Sequence, residues 1–143
     1  MKAVAIVVVV LVTVSAVIVI AGWFLPVAHI ASQSATIGRP AADVFAVVSD
    51  IDGYHSWWDG YDTRVEVVEQ VPPTRFVTRI ADAQEFGGTW TIDLAPHGGE
   101  TTVTITERGE VYNPAFRFMS RFVFGYKGTM ESYLGALAKQ VGR

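Results

Sequence analysis

The chain contains no cysteine, which excludes disulfides, thiolate nucleophiles, cysteine zinc sites and a lipidated N-terminal cysteine. Positive charge is scarce early on: after Lys2, no Lys or Arg occurs until Arg39. From Ala3 to Leu25 there are 23 residues without charge of either sign, and only Thr13 and Ser15 are mild polar breaks. The net charge of −3 gives no reason to expect nucleic acid as a partner. Catalytic signatures are missing as well: there is no H-E-x-x-H, phosphate loop, G-x-S-x-G or nucleotide-binding glycine fingerprint. No metal, cofactor or catalytic residue is therefore expected.

What is present is hydrophobic and unevenly spread. At 143 residues the length allows one globular domain and an appendage. As a helix, the run from Ala3 to Leu25 would reach about 34 Å at about 1.5 Å per residue, enough for a hydrocarbon layer of about 30 Å. A cleaved signal peptide is the rival, but its apolar region is usually about 7–15 residues long and ends at a small-x-small site. The exit "FLPVAHIASQ" offers no clean A-x-A. A buried core helix is the third reading, because a span with no polar face must be covered all round. The expected division is a transmembrane anchor over residues 1–28, with 3–25 in the membrane, and a domain over 29–143. Lys2 and the terminal amine on one flank place the N-terminus in the cytoplasm by the positive-inside rule. The domain is then extracytoplasmic, and a cysteine-free exported domain suits a single-pass protein of a bacterial inner membrane.

Charge in the remainder is polarised. Residues 39–69 hold Asp43, Asp50, Asp52, Asp59, Asp62, Glu66 and Glu69 against Arg39 and Arg64. Residues 113–143 hold Arg117, Arg121, Lys127, Lys139 and Arg143 against Glu131 alone. The plainer reading is that the basic end offsets the acidic half. The sharper one is contact with anionic headgroups.

Periodicity then orders the elements. "SQSATIG" alternates and stops at Gly38, as a short strand does. In "RPAADVFAVVSD", Pro40 fits a first helical turn, and Val44, Phe45 and Val48 share a face. Asp50 or Asp52 can cap a second short helix through "GYHSWW". "RVEVVE" and "RFVTRIA" flank Pro72-Pro73 as a hairpin. "GTWTIDLA" places Trp90, Ile92 and Leu94 on one face, and "TTVTITERGEV" does the same with Val103 and Ile105. Asn113-Pro114 is a strong helix start. Beyond it Phe116, Met119, Val123, Tyr126, Met130, Tyr133 or Leu134, Leu137 and Val141 follow helical spacing and predict a core stripe. Gly125 and Gly128 interrupt this stripe and suggest a bend or a close approach.

This order, together with "RPAADVFAVVSDIDGYHSWW", "PPTRFVTRIAD" and "FGGTWTIDL…TTVTITERGEVYNPAFRFMSRFVFG", resembles the START-like helix-grip fold of the SRPBCC superfamily. The similarity is to its polyketide cyclase/dehydrase and lipid-transport branch, whose small members often carry one hydrophobic N-terminal helix. The resemblance implies an α+β fold: an antiparallel sheet wrapped on a long C-terminal helix, with two short helices. About five strands are visible. Only "DGYDT" separates Trp58 from Arg64, too little for two strands at about 3.3 Å per residue, so one family hairpin is absent and part of the terminal helix is left uncovered.

Few residues stand out for chemistry. Asp50, Asp52, His55, Asp59 and Asp62 cluster, but they lack EF-hand order, and caps and solvated turns explain them better. His29, His55 and His97 fall in unrelated contexts; His55 with Asp59 is a surface pair or, less plainly, an acid–base pair. Glu107 shares by alternation the inward face of Val103 and Ile105, where a charge needs a partner. It is either a polar handle on a cavity wall, or it is turned out by a bulge or paired with an arginine. Trp57, Trp58 and Trp90 are expected between sheet and helices. Phe118 and Phe122, one turn apart, face the region the absent hairpin leaves open. The expected ligand-contacting set is Trp57, Trp58, Trp90, Ile92, Glu107, Phe116, Met119, Phe122, Val123 and Tyr126. Its occupant is a lipid or other hydrophobic small molecule. The alternatives are a structural envelope protein that homodimerises through its C-terminal helix, and a cyclase-like enzyme.

Overall fold

The structure is a computed structural model and describes residues 1–60, 64–81 and 84–142. Asp62 of the acidic cluster and Arg143 of the basic end lie outside the described residues. Helix α1 spans Lys2–Trp23 and is followed by strand β1 at Ala28–Ile37. Helix α2 (Ala41–Val48) and a 3-10 helix (Ile51–Ser56) are the two short helices. Strands β2 (Val65–Val71), β3 (Arg75–Ile80), β4 (Phe86–His97) and β5 (Glu100–Val111) complete the sheet. Helix α3 (Pro114–Met119), a π-helical turn (Ser120–Phe124) and helix α4 (Gly128–Val141) end the chain.

The five-stranded sheet has the order β1-β5-β4-β3-β2, and every pairing is antiparallel. Period-2 alternation aims Phe76, Ile92, Leu94, Val103 and Ile105 at one face, where they are buried. Their opposite neighbours carry the polar ladder Ser34–Thr104 and Thr36–Thr102, together with the exposed ion pairs Arg75–Asp93 and Arg79–Glu66. Such exposed pairs fix register more than they stabilise. Helix α4 lies on the buried face through Met130, Tyr133, Leu134, Leu137 and Val141, and α2 adds Val44, Phe45 and Val48 to the same core. This is the α+β helix-grip arrangement with α4 as its long C-terminal helix.

The expected continuous stripe from Phe116 to Val141 is corrected in its first half. Gly125 has φ +72° and accepts no helical continuation, and the preceding turn closes with Gly125 N–H donating to Ser120 O at 2.9 Å. This break rotates the upstream residues off the sheet. Phe116 is 49% exposed and Val123 59%, so neither is core. Tyr126 is half-buried, and the gripping stripe begins only at Met130.

One buried polar chain crosses the core. Tyr133 Oη donates to Tyr54 Oη at 3.0 Å, and Tyr54 Oη donates in turn to the Val48 carbonyl. Burial pushes the Tyr133 hydroxyl well above its ordinary value of 10.0, and the neighbouring Tyr54 adds to the shift. A raised folded value favours the neutral phenol, so this stabilisation is complete below the unfolded value and is lost as pH rises above about 10. Tyr133→Phe should flatten the alkaline loss of melting temperature above about pH 10 while costing about 1 kcal/mol at neutral pH. Thermal melts of both proteins across that pH range check this.

Candidate functional site

Between β3, β4, β5 and the segment from Phe116 to Ser132 lies a cavity of about 730 Å³, within the range of small-molecule sites. Its inner wall is built by the same alternation as the core: Thr78 and Ile80 from β3, Trp90 and Ile92 from β4. Met119, Ser120 and Tyr126 close the helical side. Phe86, Phe116 and Phe124 also line it, yet these are 48%, 49% and 72% exposed, so they stand at an open mouth. The cavity is therefore open at this mouth.

One acidic group sits in this apolar wall. Glu107 points inward from β5 and accepts a hydrogen bond from Trp90 Nε1 at 2.8 Å on Oε1. Its Oε2 lies 2.8 Å from His29 Nε2. An ionised carboxylate only accepts, so Nε2 carries the proton in that pair. The His29 ring stacks on Tyr126 with centroids 3.8 Å apart and planes 15° apart. Its other nitrogen, Nδ1, is buried without a hydrogen-bond partner. Of the two expectations for Glu107, the inward one describes its position; neither an outward bulge nor an arginine partner does.

Two glycines make this arrangement possible. Gly88 and Gly109 face each other across β4 and β5. A Cβ at Gly109 would lie 2.4 Å from His29 Cε1, so the imidazole occupies the space of a missing side chain. Gly88 has φ +127°, and a Cβ there would meet the Arg108 carbonyl at 2.3 Å. Sequence reasoning had set His29 aside as part of the membrane exit. The overlooked signal was parity: His29, Ala31, Gln33, Ala35 and Ile37 are alternate residues of one strand, and each is less exposed than its neighbours.

Of the expected contact set, Trp58, Trp90, Ile92, Glu107, Phe116, Met119 and Tyr126 line the cavity. Trp57 instead packs between the Tyr54 and Tyr133 rings and borders a separate polar groove with Asp59, Glu131 and Lys139. Phe122 and Val123 lie outside the cavity on the π turn, 63% and 59% exposed. Phe118 and Phe122 pack on each other, with centroids 5.0 Å apart. Among the described residues no cluster of three or more His, Asp or Glu side chains is placed to hold a metal.

A second residue whose place the sequence did not reveal is Arg117. It is buried on α3, and its guanidinium donates to four carbonyls: Val111 at 2.9 Å, Tyr112 at 2.8 Å, Gly22 at 3.0 Å and Leu25 at 3.3 Å. Gly22 lies in the last turn of α1, and Leu25 two residues past its end. Gly22 sits against the Pro114 carbonyl, where a Cβ would come within 1.8 Å, so α1 and α3 meet backbone to backbone.

A family model described as "Polyketide cyclase / dehydrase and lipid transport" matches residues 37–126. A START superfamily protein from Mycobacterium smegmatis superposes with TM-score 0.62 at 16% identity, covering 80% of this chain and 97% of that one. A conserved protein from Geobacillus kaustophilus superposes with TM-score 0.65 at 14% identity, covering 80% and 95%. The Zhui aromatase/cyclase from Streptomyces sp. R1128 gives TM-score 0.51 at 16% identity, covering 81% and 94%. At these identities the likeness is one of fold. Comparison with curated proteins by sequence gives no match.

Proposed function

The chain belongs to the polyketide cyclase/dehydrase and lipid-transport family, and from that premise we propose that it is a membrane-anchored module holding a lipid or other hydrophobic small molecule. The anchor is residues 1–28 and the binding domain residues 29–143. The observation that carries this reading is an open apolar cavity with one Glu–His pair in its wall. Apolar lining supplies most of the binding free energy, at about 25 cal/mol per Å² of apolar surface removed from water. The pair supplies orientation. The Glu107 side chain keeps 22% of its surface exposed in this wall, and a ligand hydroxyl that donates to its carboxylate gains a charge-assisted hydrogen bond. The bound molecule is thus apolar along its length and polar at one end.

The anchor is supported by α1, which is 22 residues long, uncharged after Lys2 and, apart from Gly22 at its end, not buried. An unburied apolar helix argues against its being a core helix. By the charge flank at Lys2 the domain stands outside the cytoplasm of a bacterial cell.

A thermal-shift titration of the full-length protein in nanodiscs tests the binding reading. A fatty acid, a phospholipid and a fused-ring aromatic are the probes. Ligand at one hundred times its Kd should add about 2.7 kcal/mol of stability. Ile80→Trp, which fills the cavity from β3, should abolish the shift. No shift with any of the probes in wild type would contradict the reading.

The Glu107–His29 pair favours one second reading, a cyclase-like enzyme in which the imidazole moves a proton on a bound polyketide chain. Turnover of such a chain that His29→Gln abolishes without loss of binding would establish it over simple holding.

A further inference from the structure

Four aromatic or aliphatic side chains on α3 and the π turn, Phe116, Phe122, Val123 and Phe124, are 49–72% exposed and uncovered by the domain. An exposed cluster of this size needs an occupant, and the position of α1 identifies it. The C-terminal end of α1 is not a loose tether. Arg117 binds the carbonyls of Gly22 and Leu25, and Gly22 packs on Pro114, so α3 is clamped at the level where α1 ends. Trp23 and Phe24 are exposed there, at 70% and 82%, as the aromatic girdle of a membrane-spanning helix would be. Arg121 and Lys127 are exposed on the same short segment and suit anionic headgroups.

We propose that the segment from Phe116 to Phe124 is a bilayer-docking surface, seated in the headgroup region beside α1, so that the cavity mouth opens onto the membrane. Phe116 and Phe124 serve both roles, lining the mouth and touching the bilayer. A molecule then passes between bilayer and cavity without crossing water, and the ligand class narrows to bilayer-resident lipids. The inference rests on the anchor reading above. Arg117 is its positioning residue: without the clamp, α1 can still span but the mouth is no longer held at the surface.

The absence of cysteine permits single nitroxide labels on the full chain in phosphatidylcholine–phosphatidylglycerol vesicles. Val12→Cys reports the span, Val123→Cys the docking surface, and Thr36→Cys the exposed sheet face. Collision with oxygen rather than with a water-soluble nickel chelate is expected at Val12 and Val123, and the reverse at Thr36. Adding Arg117→Ala should lose the oxygen preference at Val123 and keep it at Val12. A label at Val123 that prefers the nickel chelate while Val12 prefers oxygen overturns docking and leaves ligand holding and the anchor intact. Spin–spin broadening at Val123 with exclusion of both agents overturns docking in favour of a second copy. A water-exposed Val12 overturns the anchor and the docking together.

Discussion

Arg117→Ala should lower stability by about 3 kcal/mol and free α1 from α3. Arg117 is 7% exposed and its guanidinium serves four backbone carbonyls; the Gly22 carbonyl keeps its bond from Leu25 N–H, and the others lose this donor at about 1–3 kcal/mol where water cannot reach them. One of those carbonyls, Gly22, lies in the last turn of α1 and another, Leu25, two residues past its end, where the helix dipole favours a cation. Arg117→Lys should recover less than half the loss, because one ammonium cannot reproduce a planar fork that reaches two sides at once. Thermal melts in detergent read the stability. Proteolysis at Pro26–Val27 reads the release, and cleavage should quicken in the alanine variant. An Arg117→Ala protein with wild-type melting and wild-type cleavage would show that the contacts stabilise nothing.

Glu107→Gln should weaken ligand retention roughly 10- to 100-fold, with little change in melting temperature. The amide oxygen can still accept from Trp90 Nε1, so the wall keeps its shape. The amide nitrogen, however, donates, and it faces His29 Nε2. The imidazole must then carry its proton on Nδ1, which changes that atom from acceptor to donor. A ligand hydroxyl that donated to the carboxylate also meets a neutral amide, which accepts more weakly. Dissociation rates of the bound molecule from wild-type and variant protein test this. A large drop in melting temperature with unchanged retention would make Glu107 a structural group only.

The sheet was legible because one buried face imposes a period of two. Trp90, Ile92, Leu94, Val103 and Ile105 could be aimed inward from spacing alone, and Glu107 followed by parity. The cavity wall on β4 and β5 came with them. His29 was not legible, because its partner lies 78 residues on and its neighbours read as membrane exit. The terminal helix misled for a physical reason. Helical spacing persists through Phe116, Met119 and Val123, yet a positive φ at Gly125 ends the helix and restarts it at Gly128. Spacing reports which residues would share a face if the helix continued, not whether it does. Arg117 was counted with the basic residues of the C-terminal end. Its burial depends on carbonyls at and just past the end of α1 that no local pattern reveals, although a cation between Phe116 and Phe118 was a hint.

A module that holds a hydrophobic molecule carries one in its cavity as the protein is made. Native mass spectrometry of the full chain, released from nanodiscs and compared with its denatured mass, measures that directly. One apolar molecule with a single polar end is expected per chain, lost in Ile80→Trp and depleted in Glu107→Gln. Equal native and denatured masses for the wild-type chain, with the fold intact, would contradict it.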